Sequence, residues 1–142
     1  CVDFYGTIFT FNPDTDETKY VTENWGKEGY YTPNLAMSPG GRYLYYIPGV
    51  GYQYGEGTPI VQYDTVTNRK KVLAFIHDYY LEKYGFSAIR PFGIEIDEKG
   101  ESLFFYVNGG FAGDDIANRW MHVQNRRPGI FHVHIPAPER EE

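Results

Sequence analysis

An all-β fold of antiparallel hairpins is the class this sequence predicts, on three observations. Aromatic side chains make up 18% of the 142 residues, and 14 Tyr, 10 Phe and 16 Gly together favour strands joined by tight turns over helices. Strand-like runs alternate between apolar and polar residues with a period of two. These runs also resemble one another in two registers, and internal similarity of that kind takes precedence in assigning a fold.

In the first register, AMSPGGRYLYY (36–46) lies over EIDEKGESLFF (95–105), matching Met37 with Ile96, Ser38 with Asp97, Gly41 with Gly100 and Leu44 with Leu103. Each reads as strand, polar four-residue turn ending in Gly, strand. In the second register, IFTFNPDTDE from Ile8, IVQYDTVTNR from Ile60 and IFHVHIPAPE from Ile130 share an alternating strand and a polar turn. Phe9, Phe11, Val61, Tyr63, Phe131 and Val133 fall on one face, with Thr10, Gln62 and His132 on the other. KYVTENW and KKVLAFI supply a further strand after the first two copies.

This grammar resembles the β-propeller superfamily, with strands A and B of each blade in the first register and C and D in the second. SPGGRYLYY followed by IVQYDTVTNRKKVLAF looks like the blades of surface-layer and TolB-like propellers, and RPFGIEIDEKGESLFF is similar to the NHL and gluconolactonase-type pattern. The resemblance covers nearly the whole chain and implies four-stranded antiparallel blades. It divides the chain into a half blade at about 4–25, a full blade at about 33–77, a blade without a clear last strand at about 92–136 and a charged tail at 137–142. Propellers close with about 4–8 blades. The expectation is therefore an incomplete ring, its remaining blades supplied by further sequence or by neighbouring chains.

Composition narrows the partners. A net charge of −6 disfavours nucleic acid and anionic membranes, which repel such a chain at long range. No apolar run is long enough for a transmembrane span. The single cysteine, Cys1, excludes an intrachain disulfide and stands where a lipidated mature N-terminus or a cleaved chain would begin; the compartment leans only slightly to an extracytoplasmic one.

The blade assignment places SPGG, DEKG, NPDTDE and DTVTNR on one end of the sheets and every long connection on the other. Long irregular connections in compact domains are commonly functional. These carry Trp25, Tyr31, Tyr52, Tyr54, Tyr79, Tyr80, Arg90, Arg119 and Trp120, the aromatic and charged types from which recognition surfaces are built. The reading that follows is a non-catalytic ligand-binding or scaffold protein recognising protein or glycan through that face, with no cofactor. The competing structural reading is that the rings only pack the connections onto the sheets. HDYYLEKYGF has the makings of a short helix ended by Gly85, and Asp114 stands as the N-cap of another in DDIANRWMHV.

The sharpest catalytic pattern is His132 and His134, two residues apart on one strand face, a spacing that suits a divalent metal. It is similar to the His-x-His of oligogalacturonate lyase propellers, but Gly129 stands where their upstream Gln would be expected. That resemblance implies the alternative of a metal-assisted lyase, lactonase or hydrolase acting on a sugar-like substrate. Solvent-facing strand histidines are the plainer reading. A second alternative is a structural assembly protein whose ring is completed by neighbouring chains. There is no G-x-S-x-G elbow, and GVGYQYGEG lacks phosphate-loop spacing.

Overall fold

The computed structural model describes residues 1–24, 32, 35–48, 59–111 and 127–141, with backbone alone at 89–92, 108, 127 and 128. The described chain is mostly β, in three antiparallel sheets, none of them closed. β1 (Thr7–Asn12) and β2 (Glu17–Glu23) form a hairpin; β3 (Ala36–Met37), β4 (Tyr43–Tyr46), β5 (Pro59–Asp64) and β6 (Arg69–Phe75) form a four-stranded sheet in sequence order. A helix, α1 (Ile76–Tyr84), then leads to a three-stranded sheet of β7 (Phe86–Ile96), β8 (Ser102–Phe111) and β9 (Arg127–His134).

Turn chemistry explains where the strands reverse. The β3–β4 and β7–β8 turns share one geometry: the amides of Gly41 and Gly100 donate to the carbonyls of Ser38 and Asp97, and both glycines have positive φ. The Ser38 hydroxyl accepts from the Tyr43 amide at 2.9 Å, as the Asp97 carboxylate accepts from Glu101 and Ser102 at 2.7 and 3.1 Å. The β1–β2 and β5–β6 turns also match each other. Asn12 and Asp64 accept backbone amides two residues on, and Asp16 and Asn68 adopt left-handed conformations with φ of 54° and 55°. A bulge interrupts both hairpins at corresponding places, between Ile8 and Phe9 and between Ile60 and Val61.

The four-stranded sheet is the middle layer of a stack. Pleat alternation sends Tyr45, Ile47 and Ile60 into a cluster with Ala88, Ile94, Leu103, Phe105 and Val107 of the three-stranded sheet. Leu44, Tyr46, Val61 and Tyr63 on its other face pack with Ile8 and Val21 of the hairpin. Because both faces of β5 are covered, five of its six residues are buried, and even Gln62 is enclosed, donating to the Tyr45 hydroxyl and the Glu139 carbonyl.

α1 ends as the sequence indicates: Gly85 takes φ 65° and its amide donates to the Leu81 carbonyl at 3.0 Å. Two other expectations are corrected. The stretch 86–91 is strand, not connection, so β7 starts ahead of residue 92. Pro91 is accommodated within β7 because it lies at an irregularity in an edge strand, where a missing N–H costs little. Strands β8 and β9 likewise run to Phe111 and from Arg127, absorbing both ends of the long connection between them.

The charged tail forms a strap across the short-turn end. Ile135 is fully buried and its amide donates to the Glu101 carbonyl. Beyond the 3-10 turn Ala137–Glu139, the Glu141 carboxylate accepts from the amides of Gly40 and Arg42, tying the three-stranded sheet to the β3–β4 turn.

Candidate functional site

α1 closes the end of the sheets opposite the short turns, between β6 and β7. Its spacing divides it into two sides. Ile76 is buried, and Tyr80, four residues on, packs edge to face on Phe131 with ring centroids 4.5 Å apart. Tyr79 and Tyr84 remain 51% and 53% exposed. Lys83 lies over both rings, 5.1 and 5.3 Å from their centroids, and donates to the Tyr79 hydroxyl at 2.7 Å. That bond holds the Tyr79 phenol below its ordinary pKa and raises that of Lys83. Tyr79 and Tyr80 meet edge to face at 5.4 Å, so the exposed rings rest on an anchored one. The result is a water-facing aromatic surface beside a cation, of a type that can stack on a ligand's apolar face while donating hydrogen bonds.

Of the expected recognition residues, Tyr79 and Tyr80 are neighbours on the short helix expected in this connection, Tyr79 exposed and Tyr80 partly buried. Tyr80 packs against Phe131. Arg90 belongs to β7, not to a connection. Trp25, Tyr31, Tyr52, Tyr54, Arg119 and Trp120 lie outside the described residues, as does the segment expected to form a helix from Asp114.

His132 and His134 do lie on one face of β9, both exposed. Their surroundings differ. His132 stacks on its cross-strand neighbour Phe104, with centroids 5.0 Å apart. His134 Nε2 is 2.6 Å from a guanidinium nitrogen of Arg140, whose other groups bind the Ile135 carbonyl and Glu101. A fixed cation beside one imidazole opposes a second cation at the same place. No third metal ligand joins the pair among the described residues. His77 Nδ1 is 3.2 Å from the Ala88 carbonyl, which accounts for it structurally.

The short-turn end holds an arrangement that sequence reasoning missed. Ser38, Pro39, Gly40, Lys99, Gly100 and Glu141 line an open groove of about 450 Å³. Hydrogen bonding to Ser38 and to the amides of Arg42 and Gly40 keeps the Glu141 carboxyl below its usual pKa, against the opposing effect of desolvation. Beside it, Arg42 pairs with Asp64 at 2.9 Å, and this bond, with the Val66 and Thr67 amides, holds Asp64 well below the carboxylate range. A carboxylate near the end of a charged segment gives no sequence signal that it will find amides about a hundred residues earlier.

Comparison with protein-family models, with curated proteins and with solved structures finds no match.

Proposed function

We propose that this chain is part of a β-propeller that acts as a non-catalytic ligand-binding or scaffold protein, recognising protein or glycan through the end of the sheets that bears its long connections. The propeller reading is supported by the stacking of successive antiparallel sheets, by the paired turn geometries and by the corresponding bulges at Ile8/Phe9 and Ile60/Val61. The observation that carries the recognition reading is the exposure of Tyr79 and Tyr84 around Lys83 on a helix anchored through Tyr80 and Phe131. Exposed rings held in fixed orientations bury area on binding at low entropic cost.

The test is binding of the whole chain to arrayed neutral and acidic glycans and to an arrayed peptide library, comparing wild type with a Tyr79→Ala/Tyr84→Ala variant. At least a tenfold loss of affinity in the variant, with unchanged circular dichroism, is the expected result. Equal binding by the variant would move recognition away from α1. Failure of the wild type to bind either array would overturn the reading.

A further inference from the structure

The β3–β4 and β7–β8 turns share a backbone geometry and differ in what fills their amides. In the β7–β8 turn Asp97 stands first, and its own carboxylate accepts from the amides of Glu101 and Ser102. Ser38 holds the equivalent place in the β3–β4 turn, and its hydroxyl oxygen accepts from the amide of Tyr43, the counterpart of Ser102. Arg42, the counterpart of Glu101, donates instead to one oxygen of the Glu141 carboxylate at 3.0 Å, and Gly40 donates to the other at 2.9 Å. The Ser38 hydroxyl, its oxygen engaged by Tyr43, gives its own proton to the same carboxylate. Three donors therefore converge on one anionic group. The turn itself fixes them: the Gly41 amide bonds to the Ser38 carbonyl, Met37 pairs with Leu44, and Ser38 is buried. Gly40 leaves the space that the carboxylate fills, since a Cβ there would stand 2.5 Å from the carboxyl carbon.

We infer that the β3–β4 turn is a carboxylate-binding site in its own right, with Glu141 as its resident ligand, and that a carboxylate from outside the chain takes the same three donors when Glu141 withdraws. A carboxylate is the class that fits, because the two amides address its two oxygens separately and such charge-assisted pairs are strong for hydrogen bonds. Lys99, on the wall of the same groove, adds a positive charge. Withdrawal is a local event. The other holds of the strap do not involve Glu141: Ile135 is buried, Arg140 binds the Ile135 carbonyl and Glu101, and Glu139 pairs with Lys71. Glu141 thus exchanges by rotation of its own side chain while the strap stays docked. This inference concerns the short-turn end and does not depend on what α1 binds.

The test is NMR titration of the full chain with acetate at constant ionic strength, chloride being the balancing anion, in wild type, Glu141→Ala, Glu141→Gln and the double variant Gly40→Ala/Glu141→Ala. Circular dichroism and the amide signals of β4 verify retained folding. In Glu141→Ala, acetate is expected to shift the amide signals of Gly40 and Arg42 saturably, and a titration with chloride alone is not. Glu141→Gln, which keeps the side chain without its charge, should also bind acetate more tightly than wild type. Wild type should need about tenfold more acetate than Glu141→Ala, because the tethered carboxylate competes at high effective concentration. The double variant should show no shift, its added Cβ standing where the ligand would. Absence of a saturable shift in both single variants overturns the proposal, as does an equal response to chloride. A shift that persists in the double variant also overturns it, by placing the acetate elsewhere. Equal binding by wild type does so too, because Glu141 would then not be the occupant.

Discussion

Glu141 accepts a hydrogen bond from the backbone amide of Gly40 at 2.9 Å, across a sequence separation of 101 residues. A Cβ added to Gly40 would stand 2.5 Å from the Glu141 carboxyl carbon and one of its oxygens. Gly40 has no positive φ, so room for the carboxylate is what its lack of a side chain provides. Gly40→Ala is expected to expel the carboxylate while leaving the turn intact. Hydrogen exchange checks this: the Gly40 and Arg42 amides should exchange faster, and those of β4 should change little.

The strap is expected to contribute measurably to stability through Ile135, which is fully buried among the apolar side chains of the main cluster. Ile135→Ala removes buried methyl groups and leaves a cavity, at a cost of about 2–5 kcal/mol. Chemical denaturation provides the measurement. A loss under about 1 kcal/mol would show that the site collapses or that the strap is only loosely held.

Acid should weaken the tight-turn end first. Asp64, Asp97 and Glu141 all have folded-state pKa values below their ordinary ones. For Asp97 burial acts in the opposite direction, but the Glu101 and Ser102 amides outweigh it. A depressed folded pKa gives stability that is present above the unfolded value, about 4 for these groups, and lost as pH falls through that value towards the folded one. Melting temperature should therefore decline below about pH 5, and Asp64→Asn should flatten that decline while lowering the melting temperature at neutral pH.

Lys83→Met should return the Tyr79 phenol towards its ordinary pKa, because the hydrogen bond from Lys83 is the main cause of its depression. The shift is upward and is read from the ring-carbon NMR signal of Tyr79 on alkaline titration. An unmoved signal would mean that the ammonium does not stay at the phenol in solution.

Gly109 has no room for a side chain. A Cβ there would meet the Phe86 ring and the Ser87 carbonyl of the paired strand. Gly109→Ala should cost about 1–3 kcal/mol by overpacking, read from denaturant midpoints. Gly129→Ala, whose nearest neighbours are atoms of the Phe131 ring at 3.0 Å and beyond, should cost less.

The hairpins were legible because local chemistry encodes them. Gly41 and Gly100 mark two reversals, Asp16 and Asn68 are residue types that tolerate left-handed backbone, and alternation from Ile60 to Tyr63 fixes which side chains meet. Gly85 marked the end of α1 in the same way. The start of β7 was not legible, because Pro91 is a breaker in a central strand and harmless at the edge bulge it occupies. The strap was hidden for a different reason. Its charges have partners far off in sequence: Glu141 at Gly40 and Arg42, Glu139 at Lys71, and Arg140 at Glu101. Of the candidate site, the tyrosines of α1 were identifiable by type; that Tyr80 is an anchor and Tyr79 a surface depends on Phe131, about fifty residues later.

The separation between Glu141 and Gly40 also orders events during synthesis. Every sheet here is assembled from neighbouring strands, so each can form soon after its own residues leave the ribosome. The β3–β4 turn is made early, yet its free amides wait until some hundred further residues have been translated before their carboxylate arrives. The strap is thus the last described segment to be made, and a chain released short of Ile135 would keep the nine described strands without the clasp that joins their layers.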